Sequence, residues 1–189
     1  MPSKYRQPLC PLTFYHIFNR GINGEKIFYS SEDYSRFLSD YETKLSDYVD
    51  TFSYCLIPNH FHFLIRTGED CKAISNQFKL FFSNHSMKIN ESQNRYGSLL
   101  TKPYKRNPVV DESYLQRMFF YIHNNPMHHC ICDDPLSYEW SSYEALMSSE
   151  DTFLNREEAL SYFGGKCGFK NFHIEMSSLT LREKGIMEF

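Results

Sequence analysis

Two apolar runs joined by a sharp polar break dominate the first half of the chain. Thr51 to Ile57 is almost continuously apolar, Pro58-Asn59 interrupts it, and His60 to Arg66 follows. Both runs mix aromatic and branched residues and Pro-Asn marks a tight turn, so the pattern predicts a β-hairpin. Successive side chains of a strand point to opposite faces. His60, His62 and Leu64 therefore share one face, and Phe61, Phe63 and Ile65 share the other. Leu12 to Asn19 alternates more loosely and predicts an earlier strand, ended by Asn19-Arg20-Gly21, with a turn at Asn23-Gly24.

Helical spacing appears between these strands and after them. Ser30 and Ser31 offer an N-cap, Glu32 and Asp33 fall in the first turn, and Tyr34, Phe37, Leu38, Tyr41, Leu45 and Tyr48 follow at helical intervals. A long helix is expected from about Cys71 to Ile89, with Ile74, Phe78, Phe81, Phe82, His85 and Ile89 as its apolar stripe and His85 as a packed core histidine. Asn107 to Val110 predicts a short fourth strand. A further helix runs from Asp111 to about Asn125, where Pro126 stops it. Its stripe is Leu115, Met118, Phe119 and Ile122, while Tyr114, Tyr121 and Asn125 share a neighbouring face.

Strand, helix, strand, strand, helix, strand is the order of a split βαβ unit. It predicts an α+β, ferredoxin-like or RRM-like antiparallel sheet with helices on one face, leaving the other face for a ligand. Residues 1–147 would form this domain and 148–189 a helical extension. In the extension Asn155 and Glu158 suggest a capping box, Gly164-Gly165 a helix end, Phe169 to Met176 a last short helix, and the polar end after it should fray.

Composition narrows the function classes. The 189 residues suffice for one domain with a proper core. No apolar run approaches the ~18 residues of a membrane span, and Met1 to Arg6 lacks the apolar core of a signal peptide. Six cysteines form no regular framework, so a reduced, cytoplasmic protein is expected. The net charge is −3, yet the segment from Lys72 to Arg106 carries +6 and the remainder −9. Such a segment is either a solvated face or a contact for a polyanion.

The histidines supply the candidate chemistry. Imidazoles about 7 Å apart along one strand face can grip a metal ion, or can simply be the polar side of a half-exposed strand. A metal needs a third ligand from whatever packs across the sheet, and Asn125 or a carboxylate could provide it. Tyr121 lies one turn before Asn125; with a pKa ordinarily near 10, it needs a nearby cation or a strongly activated electrophile to act as a nucleophile. The His128-His129-Cys130-Ile131-Cys132 cluster lacks the paired spacing of a structural zinc site.

Pro58-Asn59-His60-Phe61-His62, then Tyr121-Ile122-His123-Asn124-Asn125-Pro126, then Trp140-Ser141-Ser142-Tyr143 resemble the single-tyrosine HUH transposases, and within them the REP-associated tyrosine transposase branch. Tyr15-His16-Ile17-Phe18-Asn19-Arg20-Gly21 fits as well, so the resemblance spans roughly residues 12–146. It implies a ferredoxin-like, metal-dependent single-stranded DNA endonuclease and strand-transferase, acting at hairpin-forming repeats as a monomer or homodimer. It further implies Mg²⁺ or Mn²⁺ held by His60, His62 and Asn125, with Tyr121 as nucleophile; Tyr114, which shares the helix face but not the motif, is the fallback. Arg20, Lys102, Lys105 and Arg106 would contact DNA, with Tyr104 as a stacking surface. The sequence departs from the family at Met127-His128-His129-Cys130 and in the basic stretch Gly97 to Arg106.

Other classes fit less well. A histidine-triad hydrolase would need a third histidine where Leu64 stands, and a two-histidine phosphoesterase a second His-x-Thr/Ser strand. An RRM-like binder lacks the aromatic pair such sheets use for stacking. A catalytically inactive DNA-binding protein descended from a transposase is the alternative to the enzyme.

Overall fold

In the computed structural model, which describes residues 8–182, four strands form one antiparallel sheet. In chain order β1 is Phe14–Arg20, α1 Ser31–Leu45, β2 Val49–Ile57, β3 His60–Thr67, α2 Cys71–Ser92, β4 Lys105–Pro108 and α3 Glu112–His128. The spatial order is β2-β3-β1-β4, which puts β3 and β1 at the centre. This is the expected α+β arrangement. The hairpin closes with Ile57 opposite His60, so Pro58 and Asn59 make a two-residue turn.

The alternation in β3 builds the two layers. Phe61, Phe63 and Ile65 are fully buried. Tyr41 of α1 stacks on Phe63 with ring centres 4.1 Å apart, and Phe82 of α2 on Phe61 at 5.2 Å. These large apolar side chains come from sequence-distant segments, so burying them commits both helices to one side of the sheet. The opposite face carries His62 of β3 and His16 and Phe18 of β1, and α3 crosses it. His85 lies inside the α1–α2 layer, 2 % exposed, with its Nε2 2.9 Å from the Ile27 carbonyl.

Several boundaries differ from the sequence expectation. The edge strand β4 begins at Lys105 rather than Asn107, because its register is set by β1, with Phe18 opposite Lys105 and Tyr15 opposite Pro108. Pro126 does not end α3; it sits buried inside the last turn. In a helix proline loses its own N–H bond and its ring crowds the carbonyl four residues back. The turn closes around it through His129 N–H to the Asn125 carbonyl at 3.1 Å and Ile131 N–H to the Pro126 carbonyl at 2.8 Å.

After α3 come α4 (Tyr143–Met147), α5 (Arg156–Ser161) and α6 (Lys166–Arg182). The capping box at Asn155 does not form, because the Asn155 amide donates to Glu158 Oε2 at 2.8 Å. Glu158 also takes a hydrogen bond from Arg66 of β3, at 2.5 Å. Gly164 and Gly165 adopt positive φ of 72° and 98°, a left-handed link open to glycine, and turn the chain into α6. That helix is longer than expected because Phe169 and His173 are both fully buried against α3. The polar stretch after Met176, expected to fray, continues α6 as far as Arg182; residues 183–189 and the N-terminal hexapeptide lie outside the described residues. No helix among the described residues is long and apolar enough to cross a membrane.

Candidate active site

His60 opens β3 directly after the hairpin turn. The turn is held in place by Gly21 N–H to the Asn59 carbonyl (2.8 Å) and Ile27 N–H to the Pro58 carbonyl (2.7 Å). The Asn59 side-chain oxygen sits 2.8 Å from His60 Nδ1. An amide oxygen can only accept, so with the ring proton on Nδ1 this contact is a hydrogen bond to Asn59 and Nε2 keeps its lone pair. That Nε2 lies 2.8 Å from Oδ1 of Asn125, which is 1 % exposed on α3. With the proton on Nε2 this contact is a hydrogen bond to Asn125; with the proton on Nδ1 it is a pair of lone pairs suited to a cation. Two ligand atoms of one ion, each about 2.1 Å from it, stand about 3 Å apart.

His62 is 3 % exposed, and its Nδ1 lies 2.8 Å from His16 Nε2. Its Nε2 is buried without a hydrogen-bond partner, and so is Nδ2 of Asn125. Unsatisfied buried polar atoms are uncommon and costly. Here the two belong to side chains that interact with each other. Burial pushes His60 down to about 4 and His62 well below its ordinary range, with neighbouring histidines adding to the effect. Both rings are therefore neutral at pH 7, as a metal ligand must be.

Tyr121 occupies the turn of α3 before Asn125. Its ring stands edge-on to His62 at 5.5 Å and to His16 at 5.8 Å. Burial raises its pKa, and a hydrogen bond with the Asn125 side chain pulls it back. Asn125 thus touches His60, His62 and Tyr121. The donor set, two neutral imidazoles and one amide oxygen, fits a divalent ion with open positions for substrate. Among the described residues no three His, Cys, Asp or Glu side chains cluster tightly enough to hold a metal, so the amide is needed to complete the set. The His128 to Cys132 run forms no such cluster. Its His129 instead lies edge-on against His60, 4.5 Å between ring centres.

The basic residues are divided by the sheet edge. Arg20 is exposed and opposite His60 in the strand register, and Lys105 Nζ lies 5.6 Å from the centre of the Phe18 ring on the histidine face. Arg106 pairs with Ile17, on the face covered by α2. With Lys102 and Lys79 it borders a groove of about 1080 Å³ between α2 and the segment 97–104. Tyr104 does not offer a stacking surface. Its ring is buried beside Phe78 and Phe82 (5.5 and 5.3 Å) and its hydroxyl accepts from Arg106 Nη1 at 3.1 Å. An aromatic beside lysines suggested stacking, but the same residue completes the α2 core.

Tyr114, near the start of α3, has its ring 6.0 Å from the Arg117 guanidinium carbon. Three features were not foreseen from the sequence: His16, Asn59 as the partner of His60, and a buried polar cluster behind the site. In that cluster His123 Nε2 lies 2.8 Å from Ser142 Oγ and 3.0 Å from Ser53 Oγ, and its Nδ1 3.0 Å from His173 Nε2. It fixes the α3 turn between Tyr121 and Asn125 against β2 and α6. Ser142 also accepts from Tyr54 N–H at 2.8 Å, and Trp140 stacks on Tyr34 at 4.7 Å. The Trp-Ser-Ser-Tyr motif is therefore scaffold.

No protein-family model matches this sequence, and no curated protein does. Among solved structures, that of a REP-associated tyrosine transposase bound to a REP hairpin matches with a TM-score of 0.61. The identity is 10%, over 76% of this chain and 84% of the other. This chain has the fold of a tyrosine transposase. At that identity, the likeness is one of architecture.

Proposed function

We propose that this chain is a metal-dependent single-stranded DNA nuclease and strand-transferase that works through a 5′-phosphotyrosine intermediate. The observation that carries the proposal is the Asn125 side chain, whose Oδ1 lies 2.8 Å from His60 Nε2 and which also interacts with Tyr121 and with His62, whose Nε2 has no hydrogen-bond partner. Mg²⁺ or Mn²⁺ held by those three atoms would polarise a phosphodiester and offset the charge that develops on it. Tyr121 Oη attacks phosphorus and gives up its proton; the Oη–P bond forms, the P–O3′ bond breaks, and the 3′-oxygen takes up a proton. The bond energy is kept in the tyrosyl ester, so a free 3′-hydroxyl can reverse the step and join strands. Asn125 holds the phenol in place from the next turn of the same helix, and the Ser53–His123–Ser142 cluster keeps that turn from shifting. Hairpin-bearing single strands are the proposed partner, in keeping with the hairpin in the similar structure.

Arg20 and Lys105 are proposed to guide the phosphate backbone to the histidine face, and Lys102 and Arg106 to hold it where it passes the sheet edge. The double variant Lys105→Ala/Arg106→Ala should weaken hairpin binding and lower the slope of log K against log salt by about 1.4, near 0.7 per lost single-strand contact. Fluorescence anisotropy across a salt series measures it, and an unchanged slope removes both residues from the interface. The activity itself is tested with hairpin DNA carrying a label at either end. Strand cleavage that appears with Mn²⁺ and disappears with EDTA supports the enzyme. Binding with no cleavage of any hairpin supports an inactive DNA-binding descendant.

A further inference from the structure

We infer that His16 is a positioning residue that fixes the tautomer and aim of His62, so that the metal site depends on a third histidine that never touches the ion. The inference rests on the proposed metal site and concerns its outer shell. His16 is 5 % exposed on β1, the strand beside β3, and its Nε2 lies 2.8 Å from His62 Nδ1. One proton occupies that contact, and its owner decides what His62 can do. If His16 Nε2 donates, His62 keeps its own proton on Nε2, and the atom facing Asn125 has no lone pair for a cation. If His62 Nδ1 donates, His16 Nε2 accepts and His62 Nε2 is bare. Only the second arrangement makes a ligand.

The packing around His16 holds its ring in place. It stacks on Phe18 at 4.6 Å and lies nearly parallel to the His62 ring at 5.0 Å, with Tyr121 edge-on at 5.8 Å. The two ligand histidines therefore have outer partners of different origin. His60 is oriented by Asn59, its neighbour in the chain, while His62 is oriented across the sheet.

Mn²⁺ binding to the full chain without DNA, followed by electron paramagnetic resonance or calorimetry, gives a readout separate from activity. His16→Phe keeps the ring volume and removes the acceptor; it should weaken Mn²⁺ binding by about 10- to 100-fold. His16→Gln places an amide oxygen near the old Nε2 and should restore most of that loss, which a purely packing role would not do. In the unaltered protein loaded with diamagnetic Mg²⁺, nitrogen NMR should show the shared proton on His62 Nδ1 with a coupling across to His16 Nε2. This last measurement stands even if His16→Phe fails to fold. A proton on His16 Nε2, or Mn²⁺ affinity equal in the unaltered chain and the folded Phe variant, overturns the role of His16 and leaves the metal site standing. Mn²⁺ binding unaffected by His62→Ala overturns both.

Discussion

Tyr121→Phe is expected to lower strand cleavage by about 10⁴-fold or more while leaving hairpin binding and the fold in place. The substitution removes one oxygen and keeps the ring that packs edge-on against His16 and His62. The lost hydrogen bond to Asn125 changes stability by only about 1 kcal/mol. Mn²⁺ affinity should not move, since the phenol is not one of the proposed ligands. Tyr114→Phe should keep cleavage within about twofold, because that ring lies by Arg117 near the start of the helix, away from Asn125. Rates measured on the same labelled hairpin for both variants decide between the two tyrosines. Full activity in Tyr121→Phe with loss in Tyr114→Phe would transfer the nucleophile to Tyr114.

The second large effect is on stability in acid. Burial holds His85 down to about 4 and His173 down to about 4, whereas both rings return to about 6.5 in the unfolded chain. Between those values the unfolded chain binds more protons than the folded one, so stability rises with pH across the window. The contribution is complete above about pH 6.5 and is lost as pH falls toward 4. From pH 7 to pH 5 each such histidine should remove about 2 kcal/mol. His85→Gln keeps an N–H for the Ile27 carbonyl but cannot titrate. Its melting temperature should therefore drop less than that of the unaltered protein between pH 7 and pH 5. Parallel drops in calorimetry would mean that His85 is not buried neutral.

What the sequence revealed of this site depended on local periodicity. Alternation along His60 to Ile65 placed the histidines on one face and the phenylalanines on the other, and helical spacing aligned Tyr121 with Asn125. Both patterns rest on fixed backbone geometry, and both faces appear in the structure as expected. His16 was not legible because its partner is 46 residues away, and which residues of β1 stand beside His62 is set by strand register. Register also moved β4 toward Lys105. Tyr104 was misread since neither its neighbours nor its type distinguishes a ring that stacks on bases from one that closes a core. Pro126 was taken as a stop because its missing N–H is a local cost; the buried contacts of His123 and Asn125, made with distant segments, outweigh it.

The most direct test of the central claim is whether the protein becomes covalently joined to DNA, and through which end. Hairpin DNA labelled on the 3′ side of the cleavage point is incubated with protein and Mn²⁺ and separated under denaturing conditions. The expected result is a labelled band that migrates with the protein, matched by a released fragment ending in a 3′-hydroxyl. Cleavage that leaves every fragment free of protein, or a protein band that carries the 5′-side fragment instead, would contradict the phosphotyrosine mechanism.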